Sequence, residues 1–132
     1  MKSLIIASIL FLTVIVFVCI NFFVLNNFFD RISGYLEALP QSSGVLEEMP
    51  EEQTEQVSRQ LDRILSEWKS YETYICLSMD HNVSRKFLEY FIPAVSYFES
   101  GDYPSFLAQA KNAYDMLDHM KFDESLKFGN LL

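Results

Sequence analysis

"LIIASILFLTVIVFVCINFFVL", residues 4–25, runs for 22 positions without one charged side chain. At 1.5 Å per helical residue it reaches about 33 Å, enough to cross a hydrocarbon core of roughly 30 Å. A cleaved secretory leader is the rival reading, but its apolar core is usually about 7–15 residues and ends at a small-x-small site. Here Phe22, Phe23, Val24, Leu25, Phe28 and Phe29 stand where a peptidase requires Ala or Gly. Val18 before Cys19 likewise breaks a lipoprotein pattern. The stretch therefore predicts an uncleaved anchor, in contact with the lipid bilayer through residues 4–25.

Charges at the two ends orient it. Lys2 and the terminal amine flank one side, while Arg31, beside Asp30, stands alone past the other. The positive-inside rule then favours a cytoplasmic N-terminus and a C-terminal domain outside the cell membrane. That domain holds all 18 acids and nine of the ten bases. A surface so acidic repels nucleic-acid phosphates and anionic headgroups, which argues against nucleic acid as a partner. The acids Glu47, Glu48, Glu51, Glu52 and Glu55 read as a solvated helix start, favoured by the helix dipole. Cys19 falls in the apolar run and Cys76 is the only other cysteine, so the domain has no internal disulfide. Cys76 reads as a small packed hydrophobe.

Beyond the anchor the apolar residues keep helical spacing. Leu25, Phe28, Ile32, Tyr35 and Leu39 predict that the spanning helix continues to Pro40, leaving residues 26–39 as an amphipathic stalk. "PQSSG", residues 40–44, reads as a loop. Val57, Leu61, Ile64, Trp68, Tyr71 and Ile75 form an a/d seam for a second helix starting near Pro50, with Trp68 as core anchor. Val83, Phe87, Phe91, Ala94 and Phe98 mark a third helix, with Pro93 expected to kink it. Gly101 reads as a stop and Asp102 or Tyr103 as the next start. Phe106, Ala110, Ala113, Leu117 and Met120 stripe the fourth helix. Asp123 is read as the cap of a last short turn, and Leu126, Phe128, Leu131 and Leu132 as cover for the bundle end. The expected fold is all-α: a transmembrane helix (1–25) and stalk (26–39) leading into an extracytoplasmic bundle (40–132) of three to four antiparallel helices in two α-hairpins.

The most chemical-looking stretch is "SMDHNVSRKF", residues 78–87. Adjacent residues on a helix point about 100° apart, so Asp80 and His81 share one ion only if the chain turns there. A turn makes Asp80 or Asn82 a helix cap, which accounts for the short polar side chains without a ligand. In an up-down bundle His81 would approach His119, with Asp80, Asp115 and Asp118 near, and such a set could hold Zn²⁺ or Fe²⁺. No HExxH or Glu-x-x-His spacing supports it, and His119 also suits the C-terminus of its own helix. No catalytic, cofactor-binding or metal-ligating residue is therefore assigned, and no cofactor. "NVS", residues 82–84, matches a glycosylation acceptor by composition alone. Glycine-rich phosphate loops and G-x-S-x-G turns are absent from the sequence.

"SGDYPSFLAQAKNAYDML", residues 100–117, resembles half of a tetratricopeptide repeat through its Gly-Asp-aromatic turn and Ala110 and Ala113. With no self-similar copies, the likeness implies an α-hairpin. The whole chain resembles a family of short single-span bacterial proteins, mostly Gram-positive, catalogued only as a domain of unknown function. The features shared are the "MKSLII" opening, Trp68, the Asp80-His81 corner and the closing Glu124–Leu126 with Asn130–Leu132. Asn82, Val83, Ser84 and Pro93 depart from the family pattern. The resemblance implies an anchored helical domain and supplies no activity.

The function expected from these features is a non-enzymatic, membrane-anchored interaction module, an accessory to a larger membrane protein or a homo-oligomer. Ser8, Thr13 and Asn21 offer the anchor a polar contact with another helix, and some of the many tyrosines offer the bundle a protein-contact face. The alternative is a ligand- or metal-sensing domain acting through a partner, its pocket beside Pro93 lined by Phe87, Tyr90, Tyr97 or His81.

Overall fold

The computed structural model describes the backbone of residues 1–131 and the side chains through Asn130, and within them every element is helical. The helices are α1 (Lys2–Glu37), α2 (Ser43–Glu47), α3 (Glu51–Ser78), α4 (His81–Glu99) and α5 (Tyr103–Leu131). α1 is unbroken for 36 residues. It stops where Pro40 disfavours helical geometry in the residue before it. Pro50 precedes α3 in extended geometry, and Glu51 and Glu52 fill the first turn, where the dipole favours them. Met79 and Asp80 are both extended, which ends α3 and starts α4 within two residues. The run 40–44 is not wholly loop: its last two residues open the single-turn α2, whose Leu46 is buried.

Cross-helix pairs set the topology. Phe28 stacks on Tyr71 at 4.5 Å and Arg31 meets Glu67 at 2.9 Å, so α1 and α3 run antiparallel. Trp68 stacks on Phe87 at 3.9 Å, so α4 turns back along α3. Phe98 meets Phe106 across the Gly101 turn. α5 then descends α1, pairing Tyr114 with Glu37 at 2.6 Å, Lys121 with Asp30 at 2.5 Å, and Phe128 on Phe22 at 3.9 Å. α1, α3, α4 and α5 thus close an up-down-up-down bundle.

The expected stalk is in fact the bundle's first helix. Leu25, Phe28, Phe29, Ile32 and Leu36 are buried with Leu61, Ile64, Trp68, Phe87, Phe91, Phe106 and Leu117 in one core. A two-faced helix in water exposes its apolar stripe, whereas packing on α3 and α5 removes it, worth about 1.5–3 kcal/mol for each large side chain. The first twenty residues do the opposite. Leu4, Ile9, Phe11, Val14, Phe17 and Ile20 all stand half exposed or more, and none of the most apolar eighteen-residue window is buried. α1 is therefore long and apolar enough to cross a membrane, and it is not a core helix over that length.

Pro93 sits inside α4, which continues through it to Glu99. Two local expectations change. Asp123 caps nothing: α5 runs on to Leu131, and Asp123 lies 3.4 Å from His119 one turn earlier. Leu126 is half exposed, and Phe128 covers α1 rather than a bundle end. The covering role expected of the Leu131 and Leu132 side chains falls outside the described residues.

Candidate functional site

The Asp80-His81-Asn82 corner is a cap. Asp80 Oδ1 accepts the Asn82 backbone N–H at 3.0 Å, satisfying one of the free amides that open α4. His81 turns to the end of α3, with Nδ1 3.0 Å from Cys76 Sγ. Burial and the nearby Glu72 carboxylate push the Cys76 thiol up, which disfavours the thiolate that nucleophilic chemistry needs. His119 instead pairs with Asp123, both well exposed, and lies three turns short of the C-terminus of its helix. The expected role of His119 at that C-terminus is thereby corrected. Among the described residues no three His, Cys, Asp or Glu side chains converge as metal ligands.

Of the residues expected to line a pocket beside Pro93, Phe87 is fully buried in the core between Trp68 and Phe91, while Tyr90 and Tyr97 lie on the surface. Ser84, also buried, accepts the Trp68 indole N–H at 3.3 Å, so α4 spends this stretch on the core.

Cavities lie elsewhere. One of about 430 Å³ opens between the connector and the start of α3, lined by Leu39, Pro40, Met49 and Gln53. Another, about 440 Å³, is a groove at the pole remote from the anchor, between the end of α1, the connector and α5. Leu36, Leu39, Leu107 and Ala110 make its apolar floor, and Glu37, Gln41, Lys111 and Tyr114 its polar edge. The Tyr114 hydroxyl donates to Glu37, and that bond holds the phenol above its usual range. An apolar floor with a few polar groups at the rim is the usual make-up of a small-molecule or peptide groove.

A further cavity, about 190 Å³, lies at the opposite pole, where α1 leaves the bundle towards its exposed half. Asn21 of α1 donates through Nδ2 to Ser78 Oγ at the end of α3. Lys127 of α5 donates to the Ser78 carbonyl at 3.4 Å. Glu124 of α5 joins them: burial raises its carboxyl above the usual range, against the opposing pull of Ser78 and Lys127. Asn21 Oδ1 and Glu124 Oε2 are both buried with no hydrogen-bond partner. Neither residue was singled out as buried from the sequence, yet the signal was present. Stepping back four from Leu25 reaches Asn21, three on from Ile75 reaches Ser78, and four on from Met120 reaches Glu124. Each core stripe ends in a polar residue, and the antiparallel register puts all three ends in one layer.

The anchor's own polar donors find partners within the chain. Ser8 and Thr13 donate to Leu4 and Ile9 carbonyls of α1 at 2.9 and 2.8 Å, and Asn21 belongs to the layer just described. No protein-family model matches the chain, and neither a curated protein nor a solved structure is significantly similar to it. The resemblance to the single-span bacterial group thus rests on the quoted residues alone.

Proposed function

We propose that this protein is a non-enzymatic interaction module held at the cell membrane by α1, its N-terminus cytoplasmic and its bundle outside. One observation carries the reading. α1 is a single helix whose exposed apolar half suits lipid and whose second half supplies the core of the bundle. Cleavage after the apolar run would strip Leu25 from that core, and cleavage a few residues on would strip Phe28 and Phe29. Leader removal is therefore hard to reconcile with a folded domain, whereas retention gives a bundle rooted directly in the bilayer with no flexible linker.

The groove between α1 and α5 is the surface offered to a partner, an apolar segment of a neighbouring membrane protein or of a second copy. A photo-crosslinking residue at Leu107 should give a discrete adduct in intact membranes, and one at exposed Glu72 should not. Purification in mild detergent that returns only monomer, with no adduct from position 107, refutes the interaction reading. The groove's volume also supports a second reading, sensing of a small ligand through a partner, because it falls in the range of roughly 300–1,000 Å³ typical of ligand sites. A thermal-shift screen with metals and small metabolites separates the two. Orientation is tested by Glu55→Cys, which a membrane-impermeant maleimide should label in intact cells.

A further inference from the structure

The polar layer at the membrane-facing pole is built for more than helix register. A cavity of about 190 Å³ opens beside it, walled by Phe22 and Phe128 and floored by Asn21, Ser78 and Glu124, with Lys127 at its edge. Asn21 and Glu124 are 6% and 7% exposed, and each keeps an oxygen without a donor. Two buried acceptors lacking donors define the missing occupant: it must bring N–H or O–H groups. Glu124 favours a cation among these, and Lys127 favours an anion beside it. A bare metal ion fits poorly, since Lys127 already donates to the Ser78 carbonyl that would ligate it. A zwitterion carrying an ammonium and an anionic group fits both charges.

Position names the source. Asn21 is 17 residues beyond Leu4, so it lies about 26 Å along the helix, within one turn of the outer edge of a hydrocarbon slab roughly 30 Å thick. The aromatic walls Phe22 and Phe128 stack on each other there at 3.9 Å. We propose that this cavity binds the headgroup of a phospholipid bearing a primary ammonium, the ammonium donating to Asn21 Oδ1 and Glu124 and the phosphate resting against Lys127. The proposal rests on the reading of α1 as a membrane anchor. A quaternary ammonium cannot donate hydrogen bonds, so phosphatidylcholine is the matched control for phosphatidylethanolamine.

The test is native mass spectrometry of the full chain released from nanodiscs holding equal phosphatidylethanolamine and phosphatidylcholine. Two hydrogen bonds to buried acceptors predict a preference for the ethanolamine lipid on the order of tenfold. Glu124→Gln and Asn21→Leu should each bring the ratio close to one while the circular dichroism spectrum stays that of the wild type. Equal retention of both lipids by a wild-type chain that resists alkaline carbonate extraction overturns the site and leaves the anchor standing; the layer then holds water. A preference that survives both substitutions also overturns it. Extraction by carbonate refutes the anchor instead. In that event O-phosphoethanolamine, titrated into the soluble chain, decides the cavity: saturable binding lost in Glu124→Gln upholds the headgroup chemistry with a soluble source, and no binding overturns it.

Discussion

Replacing Trp68 by Ala should cost the bundle more than any other single truncation. The side chain is fully buried. It stacks on Phe87 of α4 at 3.9 Å with planes 16° apart, and lies 5.5 Å from Phe28 and 6.3 Å from Phe29 of α1. Its N–H reaches Ser84 at 3.3 Å. One residue of α3 therefore joins two other helices. Truncating a buried Trp costs about 3–5 kcal/mol through lost transfer energy and the cavity left behind. Loss of the indole bond belongs within that figure, because Ser84 can turn its hydroxyl to a carbonyl of its own helix. Small domains are stable by only about 5–15 kcal/mol, so the change removes a quarter to most of the total. At about 4–8 °C per kcal/mol, a loss near 4 kcal/mol lowers Tm by about 15–30 °C. Trp68→Phe keeps a ring over Phe87 and should cost about 1–2 kcal/mol. The assay is thermal melting of the full chain in detergent micelles, followed by far-UV circular dichroism. An Ala variant melting within about 5 °C of wild type, or a Phe variant as damaged as Ala, refutes the placement of Trp68 at the centre of the core.

Asp80→Ala should lose about 0.5–2 kcal/mol through the lost cap, with Asp80→Asn close to wild type; equal melting of all three contradicts the cap. Gly101 has φ +78° with open space around its Cα, so Gly101→Ala should cost about 1 kcal/mol from backbone strain alone, read as a lower melting temperature. Burial pushes the Glu67 carboxyl up, but hydrogen bonds from Arg31, Arg63 and Tyr35 outweigh it and hold it below the usual range. The folded state then binds fewer protons, so this stabilisation is full above the unfolded carboxylate pKa and lost as pH falls through the folded one. Comparing Glu67→Gln with wild type across pH should show a gap that is widest near neutral, closes in acid and shrinks with salt, since both partners are partly exposed. Glu124 has the opposite sign. Burial raises its carboxyl, Asn21 and Ser78 face it from α1 and α3, and Lys127 is its charged neighbour among the described residues. In detergent free of ammonium lipids Glu124→Gln should melt above wild type at neutral pH, the gap closing on acidification as the wild-type carboxyl gains its proton.

Much of this architecture is legible in single stretches because periodicity is local. The a/d seam from Val57 to Ile75, the stripe from Val83 to Phe98, the Gly101 stop and the Asp80 cap each depend on a few neighbouring residues, and each stands where the spacing puts it. Asp123 misled because a cap residue and an i,i+4 partner of His119 have the same composition. Of the aromatic residues expected to line a pocket beside Pro93, Phe87 is buried in the core instead. Aromatic residues at helical spacing fill a core more readily than they line a hole, and Phe87 is spent on Trp68.

By itself the sequence determined that the chain is helical, that its first twenty-odd residues suit lipid, and where most helices begin and end. Those properties follow from hydrogen bonding and side-chain spacing within one segment. Whether residues 26–39 stand free or are buried depends on α3 and α5, which lie thirty to a hundred positions away, and only their packing decided it. The same holds for Asn21, Ser78 and Glu124. Each looks like an ordinary polar residue on its own helix, and they form one buried layer because antiparallel register brings three distant helix ends to the same height.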